Sequence, residues 1–368
     1  MRKKFTPPGR GKLKIGVLFG GKSVEHEASL QTAQFVINML DKKKYDVFPI
    51  GIKKDGKWLL NNTSNYLLHA SNPRLIKLNK SKREVILSSE GSNALINISS
   101  RKQDQKLDVI FPVLHGSLGE DGTVQGLLKL AGIPFVGASV LGSAVGMDKD
   151  VMKRLLRDAD IPIGKFIVCT REKVPTFSEI KKKLGLPVFV KPVNAGSSVG
   201  ISKVKNISEF KKSINTAFKY DTKIIIEETI KGREIECGVL GNNYPVASVP
   251  GEIIPNDEFY TYEAKYINEN GAVVEIPAKL SPNTTKKIRE LAVKTFKVLN
   301  CEGMGRVDFF LKQNGEIIVN EINTIPGPVM FRKLWEASGI PFPKVLDILI
   351  NLALERFKKE QKLKTSVK

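Results

Sequence analysis

Apolar residues along this chain follow two periods. Short apolar runs ending in glycine or proline, "KIGVLFGG" at 14–21, "YDVFPIGI" at 45–52 and "LDVIFPVLHG" at 107–116, predict buried strands. Between the first two, "EHEASLQTAQFVINML" at 25–40 repeats at helical spacing. Its first turn is acidic, which suits the positive end of a helix dipole. Residues 61–106 are polar and weakly patterned, and predict an irregular or hairpin insertion. "GEDGTVQGLLKLAG" then predicts a loop and a helix. Strand–helix alternation of this kind implies a small parallel α/β domain closing near Met147.

A second unit follows. A helix over 148–160 stops before Pro162, and "PIGKFIVC", "PVFVKP", "VGISKV" and "KIIIEE" predict strands. "SEFKKSINTAF" predicts a helix opened by Ser208 as N-cap. A third unit starts at about residue 233. It has strands over 233–241, 244–254 and 272–276, a helix over 282–300, a hairpin and a last helix with a charged tail. The resulting division is 1–146, 147–232 and 233–368.

The hairpin "GRVDFFLKQNGEIIVNEINTIPG" (305–327) raises a chemical question. Pairing across Asn314-Gly315 sets Asp308 opposite Glu321, and Asn323 shares a strand face with Glu321. Like charges at facing positions destabilise a hairpin. Three oxygen donors on adjacent strands match hard-cation coordination, and magnesium prefers one or two carboxylates plus substrate phosphates. An ion network through Arg306 is the alternative.

Composition narrows the setting. The 368 residues are 41% hydrophobic and 26% charged, an ordinary globular balance long enough for two or three domains. No run of 18 apolar residues occurs, so no membrane span is expected. The basic N-terminus is not followed by an apolar leader segment, and a cytoplasmic chain is expected. Cys169, Cys237 and Cys301 are too widely spaced for a C-x-x-C pair, and three histidines are too scattered for a zinc site. The net charge of +21 raises a non-enzymatic nucleic-acid-binding reading, yet the lysines are spread along the chain as solvated faces. No specific nucleic-acid partner is expected.

Three further stretches bear on chemistry. "GVLFGGKS" (16–23) matches the phosphate-loop pattern, but its middle is an apolar strand, which cannot also wrap phosphate. "GSSVG" (196–200) matches the hydrolase elbow, but a strand rather than a helix follows it. A Gly-Ser turn between two strands, after Lys191 in "FVKP", instead suits donors folded over a phosphate, with a plain hairpin turn as the alternative. His115 ends a buried strand, where ligands of open α/β sheets bind, or it is a core histidine.

In this order, "GGKSVEHEASL", "HGSLGEDGTVQGLL", "GMDKDVMK", "VKPVNAGSSVG", "EETIKGREIECGVLG", "FYTYEAKY", "GRVDFF" and "NEINTIPG" resemble the D-alanine–D-alanine ligases of the ATP-grasp superfamily over nearly the whole chain. The resemblance implies an α/β, Rossmann-like preATP-grasp domain followed by a two-part ATP-grasp fold. It implies ATP-dependent joining of two D-alanines through an acyl phosphate, with two Mg2+ or Mn2+ ions, no membrane partner, and a homodimer. Related ligases that use D-lactate or D-serine as second substrate are the alternative.

Site roles carry over by position. Glu25, Ser197 and Tyr266 match the set that orients the first D-alanine, with His115 near its carboxylate. Lys149, Lys191 and Ser198 match groups on the ATP phosphates, and Glu227 and Glu234 match carboxylates near adenine and ribose. The loop 255–270 matches a mobile cover with Lys265 reaching the phosphates. Arg306 and the N–H of Gly327 match oxyanion donors, and Asp308, Glu321 and Asn323 match the metal ligands. One stretch departs: "PVMFRKLWEASG" is about three residues shorter than is usual and lacks the Ser that holds the second carboxylate. Arg332 is the candidate replacement, since a guanidinium binds carboxylate bidentately.

Overall fold

A computed structural model of the chain describes residues 11–88, 92–255, 272–364 and 366–367. Its first sheet has seven strands in the order Gln103–Lys106, Ala94–Asn97, Glu84–Leu87, Trp58–Leu60, Tyr45–Ile52, Leu13–Gly20, Val109–Pro112. Leu13–Gly20 pairs in parallel with both its neighbours. The other four strands add on antiparallel. The expected parallel domain is therefore parallel only in the three strands at one edge of the sheet. The polar insertion extends the sheet through hairpins, in which Val85 and Leu95 are buried while Ile86 is exposed.

A second sheet is fully antiparallel, in the order Phe166–Thr170, Lys223–Glu228, Val188–Pro192, Ser202–Val204. Helices Phe177–Leu184 and Ile207–Ala217 cover one face, packing Ile180, Phe210 and Ile214 on Val188, Val190, Ile224 and Ile226. Strand alternation then turns Phe189, Lys191 and Glu227 to the other face. The second helix is capped by Asn206 and not Ser208. Asn206 has extended backbone and its side chain accepts the N–H of Glu209 at 3.0 Å, while Ser208 already lies inside the helix.

The third sheet runs Ala272–Glu275, Gly251–Pro255, Arg233–Gly241, Gly303–Leu311, Ile317–Asn323. The expected strand over 244–254 is broken into Val246–Ala247 and Gly251–Pro255, with Pro250, which has no N–H for a ladder, in the gap. Helix Pro282–Val298 seals one face with Ile288, Ala292 and Phe296 against Ile235, Cys237, Val307 and Phe309. The opposite face carries Glu236, Arg306 and Asp308 and looks across a cleft at the second sheet.

Helices Pro328–Ala337 and Phe342–Glu360 bend by 103° and return to the first sheet. Their Phe331, Trp335, Phe342, Val345 and Leu349 share one core with Val17, Phe19, Leu30 and Phe111. The end of the chain thus completes the core of its beginning, across the division read from the sequence. Among the described residues no single helix is long and apolar enough to cross a membrane.

Candidate active site

The hairpin sets Asp308 opposite Glu321 and Arg306 opposite Asn323. A register shift between Asp308 and Phe309 leaves Asn320 as an extra residue in the return strand. The shift decides which side chains face the cleft. Ile317 and Val319 point into the helix-covered core, as Ile322 does after the bulge. Without the extra residue, strict alternation would put Glu321 on the side of Val319, inside that core.

Arg306 offsets the carboxylate repulsion. Its guanidinium grips Asp308 in a fork, Nε to Oδ1 and Nη2 to Oδ2, each at 2.7 Å. Its Nε lies 3.0 Å from Glu236 Oε2. Burial favours the neutral form of Arg306, but Asp308 and Glu236 outweigh it and hold the pKa well above the ordinary value. Asn323 Nδ2 donates to Asp308 Oδ2 at 2.9 Å. The ion network is thus present in the same place as the proposed metal ligands. Asp308, Glu321 and Asn323 supply hard oxygen donors on one face of two paired strands, which fits magnesium or manganese. No group of three His, Cys, Asp or Glu is gathered for a metal among the described residues, so this set needs the Asn323 carbonyl or substrate oxygens to complete it.

The second sheet supplies the opposing wall. Lys191 Nζ lies 2.5 Å from Glu227 Oε2, and Lys153 Nζ lies 2.8 Å from Glu227 Oε1. Burial pushes Glu227 up, but the two lysines outweigh it and hold the carboxyl well below the usual range. Burial likewise opposes the charge on Lys191, and Glu227 and Glu321 outweigh it. Lys149 projects from the first turn of helix Lys149–Asp158, which Asp148 caps by accepting from Val151 N. Its Nζ donates to Ala195 O at 2.8 Å and lies 3.7 Å from Glu321.

The Gly-Ser turn closes one side. Asp221 anchors its start, accepting from Asn194 N at 2.7 Å and Nδ2 at 3.1 Å. Ser197 and Ser198 then adopt φ of 48° and 62°, a left-handed conformation that costs on the order of 1 kcal/mol or more per non-glycine residue. Ser197 Oγ donates to Glu25 Oε1 and ties the turn to the first unit. Glu25 sits at the start of helix His26–Met39 and is buried, yet its side chain does not cap that helix. Two glycines let loops close on its carboxylate: a Cβ at Gly196 would come within 2.9 Å of Oε2, and one at Gly116 would overlap it.

His115 Nε2 bonds Thr32 Oγ1 at 2.8 Å. Burial pushes its pKa down to about 4. Glu120 accepts from Gly116 N at 2.8 Å and Ile325 N at 3.1 Å, and burial with the nearby Glu25 pushes its carboxyl up to about 8.

These groups line two adjoining cavities. One, of about 890 Å³, takes in Glu25, His115, Arg306, Asn323 and Gly327. The other, of about 510 Å³, takes in Lys191, Ser198, Glu227, Glu234 and Asp308. Lys149, Ser197 and Glu321 border both. Tyr266, Lys265 and nearly all of the loop 255–270 lie outside the described residues.

Arg332 does not border either cavity. Its guanidinium lies 5.4 Å from the Phe35 ring centroid and its Nε is 3.8 Å from Glu336. Successive helical residues point about 100° apart, and the cavity wall falls to the next residue, Lys333. The phosphate-loop look-alike is a strand through Gly20, with Lys22 exposed. Three participants escaped the sequence reading. Lys153 is one helical turn beyond Lys149, Glu236 alternates with Glu234, and Glu120 lies in the "HGSLGEDG" stretch. Spacing signalled the first two, and only tertiary contacts single out the third.

Two family models match the chain: "D-ala D-ala ligase N-terminus" over residues 14–138 and "D-ala D-ala ligase C-terminus" over residues 155–351. A D-alanine–D-alanine ligase of Oceanobacillus iheyensis is 50% identical over 362 residues, covering 96% of this chain and 99% of that one. The solved D-alanine–D-alanine ligase of Coxiella burnetii superposes with a TM-score of 0.83 at 38% identity, over 96% of this chain and 97% of that one. The VanG D-Ala:D-Ser ligase of Enterococcus faecalis superposes with a TM-score of 0.81 at 37% identity, over 93% of this chain and 99% of that one.

Proposed function

The chain belongs to the D-alanine–D-alanine ligase family, and from that premise we propose how its cleft works. As a member it is an ATP-dependent ligase that joins two D-alanines for cell-wall synthesis. One observation carries the site assignment: the Ser197–Glu25 bond closes the Gly-Ser turn over the same cleft that holds Arg306, Glu321 and Lys149. Substrate amine, carboxylate and phosphate can then meet in one place.

Glu25 binds the ammonium of the first D-alanine, oriented by Ser197 and Tyr266, and His115 flanks that substrate's pocket. Lys149, Lys191 and Lys265 hold the ATP phosphates under Ser198, with Glu227 and Glu234 towards the nucleoside. The first carboxylate attacks the γ-phosphorus, and ADP leaves with the bridging oxygen's electron pair. Carboxylate activation is needed because oxide is a poor leaving group. Asp308, Glu321 and Asn323 would hold Mg2+ or Mn2+, which neutralises phosphoryl charge when bound. The amine of the second D-alanine attacks the acyl carbon, and Arg306 with the Gly327 N–H donates to the oxyanion. The carbonyl re-forms as phosphate leaves, and the proton of the attacking amine passes to the departing phosphate. The second carboxylate pairs with Lys333 in place of Arg332. Burial of the reacting groups keeps water from the acyl phosphate.

We place this activity in the cytoplasm and in a homodimer, with the division 1–146, 147–232 and 233–368 subject to the shared core of the chain ends. Light scattering tests the dimer. The activity itself is tested by phosphate release from ATP with D-alanine alone and paired with D-serine or D-lactate. D-alanine alone should support turnover and yield the dipeptide. Turnover that needs D-serine or D-lactate would reassign the acceptor.

A further inference from the structure

We propose that Glu120, flanked by His115, clamps Ile325 as a positioning residue that sets the Thr324–Gly327 turn against the first unit and so places the Gly327 N–H over the acyl carbon. The inference rests on Gly327 as an oxyanion donor.

Glu120 is not needed to bind any substrate group in the mechanism. It lies deep in the cleft, and its carboxylate receives two backbone N–H groups from opposite walls. Gly116 N, 2.8 Å away, belongs to the loop after the first unit's edge strand Val109–Pro112. Ile325 N, 3.1 Å away, belongs to the turn after the hairpin of the third sheet. His115 lies beside the same residue, near enough for the Ile325 backbone to favour its protonated ring. Thr32 fixes that ring from behind at 2.8 Å. Ile325 is thus held by Glu120 and flanked by His115, both of the other unit, two positions before Gly327.

The loop that bears the clamp also touches the amine anchor. Gly116 packs directly on Glu25 Oε2. A continuous path of contacts runs from Glu25 through Gly116 and Glu120 to Ile325, and by two residues of chain to Gly327. Anchor and oxyanion donor therefore share one brace. A purely packing role would be filled at lower cost by an amide or an apolar side chain. Burial beside Glu25 pushes the Glu120 carboxyl up to about 8, a strained choice of the kind that gathers at working sites.

The test measures ADP and dipeptide together, at saturating ATP and D-alanine, in wild type, Glu120→Ala and Glu120→Gln. The wild type should release one ADP per dipeptide. In Glu120→Ala we expect dipeptide formation to fall on the order of a hundredfold. KM for ATP should stay within about twofold, and ADP release should exceed dipeptide, because a displaced Gly327 leaves the acyl phosphate to water. Glu120→Gln keeps one acceptor and the side-chain volume, so it should fold and recover about tenfold over alanine with a smaller excess of ADP. Thr32→Val, which frees the His115 ring, should raise the ADP excess in the same direction. If the variants keep one ADP per dipeptide, whether fully active or slowed only as far as their melting curves account for, the clamp is rejected. A wild type that hydrolyses ATP without dipeptide would instead reject the ligase assignment.

Discussion

At the proposed nucleotide end of the cleft burial leaves Glu227 and Lys191 charged, whereas at the proposed first-substrate end it favours the neutral forms of His115 and Glu120. Glu227 is held far below the carboxylate range and Lys191 above the lysine value, because each desolvated charge has an opposite charge within reach. His115 is buried and Glu120 half-buried, but no such partner wins. Burial pushes His115 down to about 4 and Glu120 up to about 8. The same desolvation has opposite results depending on what stands beside the group. The division would suit the proposed chemistry: phosphates need fixed positive charge, whereas neutral hydrogen bonds at the amino-acid end would leave Glu25 as the carboxylate for an incoming ammonium.

The sharpest way to break the charged end is at the hairpin. Asp308→Ala and Glu321→Ala should each lower kcat on the order of a thousandfold with the fold intact, read by phosphate release and a melting curve. Full activity of Glu321→Ala at ordinary Mg2+ would sink the metal assignment. Next comes Lys191→Ala, which removes a phosphate contact and leaves Glu227 with Lys153 alone. Its KM for ATP should rise about a hundredfold, the scale of a truncated buried charge pair.

The neutral end responds to pH. The folded pKa of His115, about 4, lies below its unfolded value of about 6.5. Between these values the unfolded chain takes up a proton that the folded ring refuses. Stability from this residue is therefore complete above pH 6.5 and lost as pH falls towards 4. Urea denaturation at pH 7 and pH 5 should show wild type losing about 2 kcal/mol more than His115→Gln over that interval. An equal loss in both would put the ring's environment in doubt.

Smaller effects are expected at the second-substrate wall. Lys333→Ala should raise the KM of the second D-alanine about tenfold, an exposed charge contact, and leave ATP unchanged. Arg332→Ala should change it less than about twofold, since that side chain lies on Phe35. The reverse ranking would return the carboxylate to Arg332. Lys22→Ala should be silent towards ATP, and a measurable loss would move the nucleotide into the first unit.

Local pattern alone determined much of this protein. The strand runs, the helix after Glu25 and the hairpin that brings Asp308 near Glu321 follow from period and turn chemistry, because these depend on neighbours in sequence. The ordered motifs carried the family. Tertiary structure decided the rest. The bulge at Asn320 turns Glu321 from core to cleft, and its sequence "IIVNEIN" shows only an apolar run with two polar breaks. Lys153 became a partner of Glu227 once helix and sheet were docked. Glu120 gained its place from a backbone N–H lying 205 residues further along the chain. Helices after Gly327 joined the first sheet's core because an apolar face packs on whichever core the fold brings to it. Burial is a property of the assembled molecule, and with it comes the choice of which charges survive.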